Sequence, residues 1–291
     1  MIIDVAALSP LEKQHYLQHV IAPRPICFAS TVDGKGNVNL SPFSFFNLFS
    51  TNPPVVVFSP SRRVRDNSTK HTLQNLMEWP EVVINIVDYD MIQQVSLASC
   101  EYPKDVNEFI KAGFTMEPAS LVKPPMVKES KARMECRVME IKPLGTEGGA
   151  GNLVLCEVLR LHLDASILNE HKKVDQRKLQ LVARLGGNWY CKVGLESLFE
   201  VAKPNTELGM GIDALPAVIR YSSVLTGNDL GALANFRELP QKDPGFADAQ
   251  LQQLLNRLPG AERTLAIHQY AKELIRDGSL SQAWQVLLQA I

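Results

Sequence analysis

The 291 residues are 45% hydrophobic and 21% charged, the balance of a soluble globular chain long enough for one large or two modest domains. With 30 basic against 31 acidic residues, the chain lacks the diffuse positive field of a nucleic-acid or anionic-membrane binder, so any anion must be held by a local basic cluster. The opening MIIDVAALSP has neither the basic segment nor the apolar core of a signal peptide, no run approaches the ~18 apolar residues of a membrane span, and an odd set of 5 cysteines without a C-x-x-C pair argues against a disulfide framework and a zinc site; a cytoplasmic location is expected.

The first two thirds read as strands separated by turn signals. Residues 25–31 form a β-rich run ending at the hairpin turn Val32-Asp33-Gly34-Lys35-Gly36, and the chain returns through Val38 to Ser41 until Pro42 interrupts the ladder. Asn52-Pro53-Pro54 then introduces a strand from Val55 to Ser59. From Asn67 the spacing turns helical, with Leu73, Leu76 and Met77 on one face and Pro80 as the exit, before a strand from Glu81 to Val87 and a second helix from Met91 to Ser99. After Lys123-Pro124-Pro125, two long strands follow, Arg133 to Ile141 and Leu153 to Leu163. The glycines between them, Gly145, Gly148, Gly149 and Gly151, are followed by a strand rather than a helix, which favours a flexible hairpin over a dinucleotide loop. Short helices on an all-β core suggest a barrel. Cys27, Cys136 and Cys156 fall within strands and read as small core residues.

Past about Asn205 the composition shifts to helix formers. Leu251, Leu254, Leu255 and Leu258 make one apolar face, a second helix spans Ala261 to Ile275, and Ser279 with Gln282 forms a capping-box pattern before a last helix containing Trp284, Leu287 and Leu288. The expected organisation is a β domain over 1–205 and a helical extension over 206–291.

The stretch most suggestive of chemistry is Asn39-Leu-Ser-Pro-Phe-Ser-Phe-Phe-Asn47, followed by Ser59, the basic run Arg62-Arg63-x-Arg65 and Asn67-Ser68-Thr69-Lys70-His71-Thr72 at a helix start. A phosphate monoester needs cations, hydroxyls and free backbone N–H donors together, and this run supplies all three. Two readings stay open here: the same residues can be a loop with core phenylalanines, a Ser68 or Thr69 helix cap and solvated arginines.

The chain resembles the flavin-reductase-like family. The resemblance rests on Arg24-Pro25, Asn39-x-Ser41-Pro42-Phe43-Ser44-Phe45-Phe46, Pro53-Pro54, Ser59, Lys70-x-Thr72-Leu73, the strand from Val82 to Ile86 and Leu185-Gly186-Gly187-x-x-Tyr190. It covers roughly residues 10–205 and implies an FMN-binding split β-barrel, six-stranded and of Greek-key type. It implies that Asn39, Ser41, Pro42, Phe43 and Ser44 edge the flavin ring and its ribityl chain, that Thr31 faces the flavin, and that Ser59, Arg62 and Lys70 lie near the phosphate. His71 stands where the family has an aspartate. His162 is placed near the flavin or a dimer interface or is a satisfied structural histidine, while Arg184 and Tyr190 flank the closing segment.

The activity implied is NAD(P)H-dependent flavin reduction by a homodimer, with electrons passed to a monooxygenase or other redox partner. No Rossmann fingerprint is present, so NADH or NADPH would dock transiently over the flavin. A flavoredoxin-like electron carrier is the alternative, and a helical interaction module with a vestigial barrel is a third reading.

Overall fold

The computed structural model describes residues 1–201 and 208–289 and divides into two compact units, Met1–Phe199 and Glu200–Ile291. The boundary expected between residues 205 and 206 lies outside the described residues. Among the described residues no helix is long and apolar enough to cross a membrane.

The first unit opens with α1 (Pro10–Val20), which the sequence reading passed over. Its signal was present: Ser9 and Glu12 form a reciprocal capping box, and Pro10 occupies the first turn, where its missing N–H costs nothing. Then come β1 (Cys27–Val32), β2 (Val38–Phe43), β3 (Phe46–Thr51), β4 (Pro54–Phe58), α2 (His71–Glu78), β5 (Glu81–Ile86), α3 (Ile92–Ala98) and α4 (Glu108–Ala112). A two-residue ladder of β6 (Met116–Glu117) and β7 (Met126–Val127) precedes the long strands β8 (Ala132–Pro143) and β9 (Asn152–Leu163). The unit ends with α5 (Gln176–Leu179) and the hairpin β10 (Val182–Arg184) and β11 (Tyr190–Lys192).

The main sheet has seven strands in the order β2-β1-β5-β8-β9-β4-β3, rather than the six expected, and its hydrogen bonds do not close it into a barrel. The additional strand is β3, which the sequence pattern does not predict; it pairs antiparallel with β4. Pro42 does not stop the second strand either. It sits opposite Phe28 in a strand that continues to Phe43, and an outer strand tolerates a residue with no N–H to donate.

The open sheet is nevertheless rolled. Phe43 on β2 and Phe58 on β4 lie near opposite ends of the strand order, yet their ring centroids are 5.4 Å apart. They share one core with Cys27, Ala29, Val82, Ile84, Cys136, Val154 and Cys156. The alternate residues of β1 and β2, Phe28 and Leu40, pack on the opposite face under α3 and α4, with Val95, Ala98 and Phe109. Two buried faces explain why β1 is buried at every position. Burial pushes the Cys27 and Cys156 thiols well above their ordinary range and Cys136 to about 12, which suits inert core residues.

α2 also departs from its sequence pattern. It begins at His71, later than the expected Asn67, because Asp66 accepts from the Ser68 backbone N–H at 2.9 Å and Arg63 donates to the Ser68 hydroxyl and the Thr69 carbonyl, both at 2.9 Å. Its buried face carries Thr72, Leu73, Asn75 and Leu76, and Met77 is exposed.

The second unit contains α6 (Ala217–Arg220), α7 (Gly227–Ala234), α8 (Ala249–Arg257), α9 (Gly260–Arg276) and α10 (Leu280–Gln289) around a core centred on Trp284. Its early helices were missed, although Thr226 and Asp229 form a capping box at α7. Gln282 does not serve the capping box expected for the last helix; its amide donates to Asp248 at 3.0 Å, beside the Tyr270 hydroxyl, which donates to the same oxygen at 2.7 Å.

Candidate functional site

A cleft of about 940 Å³ lies between α1 and the loop that follows β4. One wall is Leu17 and Gln18 of α1 and Ile21 just after it, with Phe45; the other is Ser61 to Arg65, with Lys70 at its end. Arg24 fixes the α1 wall. Its guanidinium donates to the Gln18, Ile21 and Leu185 carbonyls at 2.7, 2.8 and 2.9 Å, joining the open C-terminal end of α1 to the β10–β11 hairpin.

The opposite wall is strongly cationic. Arg62 is held by Asn67, donating to its side-chain oxygen at 2.6 Å and its carbonyl at 2.7 Å. Arg63 pairs with Glu101 at 3.0 Å, and Arg65 reaches the other oxygen of the same carboxylate. The ammonium of Lys70, half-buried beside them, makes no hydrogen bond or ion pair among the described residues. Burial and the Arg63 charge hold its ammonium below the ordinary lysine range, with Glu101 opposing and Arg65 adding to the depression. No side chain caps the start of α2, where Lys70 is the capping residue. A half-buried unpaired cation, next to two arginines sharing one carboxylate and an uncapped helix start, is an arrangement that an incoming oxyanion completes.

The glycine-rich turn between β8 and β9 forms the rim. Gly148 and Gly149 line the cleft, the Gly149 N–H donates to the Arg62 carbonyl at 3.0 Å, and the Arg62 N–H donates to the Ala150 carbonyl at 2.9 Å. The turn therefore positions the basic loop. A Cβ on Gly148 would lie 2.9 Å from the Val64 carbonyl oxygen, against backbone that has no rotamer to yield. Gly148→Ala is expected to cost about 1–3 kcal/mol by overpacking and to weaken anion binding in the cleft without altering any charge. Thermal unfolding together with a flavin titration would measure both effects.

The other sequence-predicted residues distribute unevenly. Asn39 and Ser41 line a second, narrow recess with Lys70, His71 and Ser99, and Pro42, Phe43 and Ser44 line a third of about 170 Å³ with Ser99, Arg184 and Tyr190. Lys70 lines both the first and the second, and Ser99 both the second and the third. Burial, Arg63, Lys104 and Lys70 hold the His71 imidazole below its ordinary value. Asn39 is committed internally, donating to Glu108 at 2.8 Å and accepting from the Thr72 hydroxyl at 2.6 Å. Thr31 is fully buried and accepts from Asn75 at 3.2 Å, so it does not face any of these recesses. Ser59 is likewise buried, against Gly151, and lines none of them. Thr31 belongs to the wholly buried strand β1, and Ser59 directly follows β4.

His162 belongs to a separate network. Its Nε2 lies 2.6 Å from Glu135, a fully buried carboxylate that also accepts from the Ser120 hydroxyl at 2.7 Å and from the backbone N–H groups of Ser120, Leu121 and Val122. Burial raises the Glu135 pKa, but the hydrogen bonds from Ser120, His162 and the backbone outweigh it and bring it to about 2. His162 is therefore the satisfied structural histidine. Because the folded value lies below the ordinary 4.5, the Glu135 contribution to stability is complete above that value and disappears as pH falls towards 2. Glu135→Gln is expected to lose about 1–3 kcal/mol at neutral pH and progressively less on acidification, as read by denaturant unfolding at a series of pH values.

Among the described residues no group of three or more His, Cys, Asp or Glu is placed to hold a metal ion. Comparison with known proteins places this geometry in a family context. A protein of Aquifex aeolicus is 36% identical over 173 residues, covering 60% of this chain and 86% of its own length. Nitrilotriacetate monooxygenase component B from Bacillus cereus superposes with a TM-score of 0.65 at 28% identity, over 69% of this chain and 98% of that one. A split-barrel domain structure from Shewanella frigidimarina gives a TM-score of 0.58 at 25% identity, over 68% and 96% of the two chains. The model of the flavin reductase like domain matches residues 20–178, more than half of the sequence, and by that match the chain belongs to the flavin-reductase-like family.

Proposed function

We propose that this protein is an FMN-binding oxidoreductase that uses NADH or NADPH to reduce its flavin and passes the electrons to a partner protein or small acceptor. One observation carries the reading: Lys70, half-buried and without an ion-pair partner, opens into a cleft of about 940 Å³ beside Arg62, Arg63 and Arg65. The residues fit FMN in charge and shape. Arg62 and Lys70 would hold the phosphate, with help from the open start of α2. Phe45, Leu17 and Ile21 offer apolar surface for a planar ring, and Ser41 to Ser44 offer small polar groups along its edge. Thr31 and Ser59 act behind this surface, and Asn39 borders it while tying β2 to α4 through Glu108.

When bound, FMN supplies the redox chemistry, accepting hydride from a nicotinamide at its N5. The chain's own residues bind and orient. Arg24 locks the α1 wall, and the Gly148 turn fixes the basic loop. A backbone N–H donor near Ser41 to Ser44 would stabilise negative charge on a reduced ring.

A homodimer is part of the proposal. β3 is an outer strand whose Leu48 and Phe49 are 56% and 69% exposed, an edge that folded proteins normally cover. A redox partner is suggested by the similarity to a protein named as a monooxygenase component. The first 205 residues would form the flavin unit and the rest a helical extension.

The deciding experiment is to add FMN to the purified protein, remove the excess, and record the visible spectrum before and after anaerobic NADH and then NADPH. Retained flavin bands that bleach with either nucleotide support the reductase. Retained bands that bleach with neither convert the reading to a carrier, and absence of retained or titratable FMN removes the site assignment.

A further inference from the structure

Glu108, the first residue of α4, is a carboxylate buried without a cation: it is 4% exposed and makes no ion pair among the described residues. A charge in such a place is costly unless the protein answers its oxygens with hydrogen bonds. Both oxygens accept here, Oε1 from the Asn39 amide at 2.8 Å and Oε2 from the Leu40 backbone N–H at 3.0 Å. Burial pushes the Glu108 pKa up, against the hydrogen bonds from Leu40, its own backbone and Asn39, which favour the charged form. A neutral amide of the same shape could not accept at both ends, since one end is a donor.

The charge fixes the polarity of Asn39. An asparagine side chain can turn over and exchange its oxygen for its nitrogen, but an acceptor-only carboxylate on one side requires the nitrogen there. The oxygen is left to the Thr72 hydroxyl, which donates to it at 2.6 Å. The amide nitrogen carries two N–H groups, and the second meets no acceptor among the described residues. Asn39 lines the narrow recess with Ser41, Lys70 and Ser99, and its volume of about 20 Å³ is room for a single oxygen-sized atom. Lys70 also lines the cleft given to the phosphate, and Ser99 the recess at the Pro42 to Ser44 segment given to the ring edge.

We propose that Glu108 is a positioning residue of the flavin site: it holds Asn39 with its nitrogen forward, so that the spare N–H donates to one ribityl oxygen of the flavin. The assignment rests on the FMN reading, which supplies the ligand. It explains why a buried charge is kept where a neutral side chain would cost less. Glu108 itself touches no reacting atom; it acts through Asn39.

The test compares two variants of the full-length protein. In Glu108→Gln the new amide cannot accept from both Leu40 and Asn39, so either one N–H loses its partner or Asn39 turns over and presents its oxygen. In the double variant Asn39→Asp with Glu108→Gln the carboxylate is moved across the same hydrogen bond. The new aspartate accepts from the new glutamine and from Thr72, the glutamine oxygen accepts from Leu40, and the spare N–H is gone. Glu108→Gln is expected to lower the unfolding temperature of the flavin-free protein and to raise the FMN Kd roughly tenfold, as for one lost hydrogen bond. The double variant should recover the unfolding temperature and keep the raised Kd. Riboflavin, which lacks the phosphate, should show the same loss in both variants, which separates a lost donor from a change of charge near Lys70.

Recovery of both stability and Kd by the double variant overturns the proposal, as does an FMN Kd within twofold of wild type in Glu108→Gln, or a loss seen with FMN and not with riboflavin. A double variant no more stable than Glu108→Gln also overturns it, because the pairing would then not be what holds Asn39. Should Glu108→Gln fail to fold, the riboflavin Kd of the double variant against wild type decides alone. The two readings fail separately: flavin binding indifferent to both variants removes only the role of Glu108, whereas no binding of FMN or riboflavin by the wild type removes the flavin reading and this role with it.

Discussion

Replacing Lys70 with methionine is expected to weaken FMN binding roughly 10- to 150-fold, the equivalent of about 1.5–3 kcal/mol for one charge-assisted contact. The methionine keeps most of the apolar stem, so the variant removes charge with little change in volume. Lys70 is the cation of this cluster with no internal partner among the described residues, whereas Arg62 is tied to Asn67 and Arg63 and Arg65 are tied to Glu101. Loss of Lys70 thus leaves the phosphate facing cations already partly engaged.

The pH profile separates this role from a structural one. In the free protein, burial and Arg63 hold the lysine below its ordinary range. A bound dianion would raise it again. Affinity is therefore full below the free-protein value and falls as pH rises through it towards the value in the complex. A phosphate monoester takes up its own proton near pH ~6, so affinity also declines on the acid side. Lys70→Met should abolish the alkaline limb and retain the acid limb. Flavin fluorescence titrations across pH would show this, and a variant Kd within twofold of wild type with the alkaline limb intact would place the phosphate elsewhere.

Trp284→Ala is the second large effect, expected to cost about 3–5 kcal/mol in the helical unit. The indole is fully buried, donates to the Leu233 carbonyl at 3.3 Å, and meets Phe236 edge-on with centroids 6.3 Å apart. A small domain holds only about 5–15 kcal/mol in total, so this one cavity removes much of its margin. The expected result is loss of far-ultraviolet helical signal and rapid proteolysis within residues 208–289, with FMN still retained by the first unit. Loss of FMN in step with the helical signal would instead make the extension part of the flavin site.

The relation between sequence and fold is clearest at individual residues. Strands rich in alternating apolar residues were legible because both the pattern and the turn residues agreed, as at Val32 to Gly36 between β1 and β2. β3 was not, because Phe46 to Thr51 has an exposed, mixed pattern and takes its order from pairing with β4. Pro42 misled because proline excludes a strand only where a partner needs its N–H, and the sequence does not say which strand is outermost. The helix around Lys70 was recognised, but its start was displaced by Asp66 and Arg63, whose local bonds hold Ser68 and Thr69 outside the helix.

The family, the β-then-helical order and the clustering of Arg62, Arg63, Arg65 and Lys70 were legible in the chain alone, since all of these rest on residue type and short spacing. Which of those residues are free to act depends on the packing of the folded chain. Thr31, Asn39 and Ser59 have suitable chemistry but are buried or committed to neighbours, and a side chain's direction depends on which face of its strand meets the core. Conversely, α1 and the Gly148 turn shape the cleft from positions far apart in the chain. Their approach is set by the rolled sheet and by the Arg24 contacts, which no local pattern encodes.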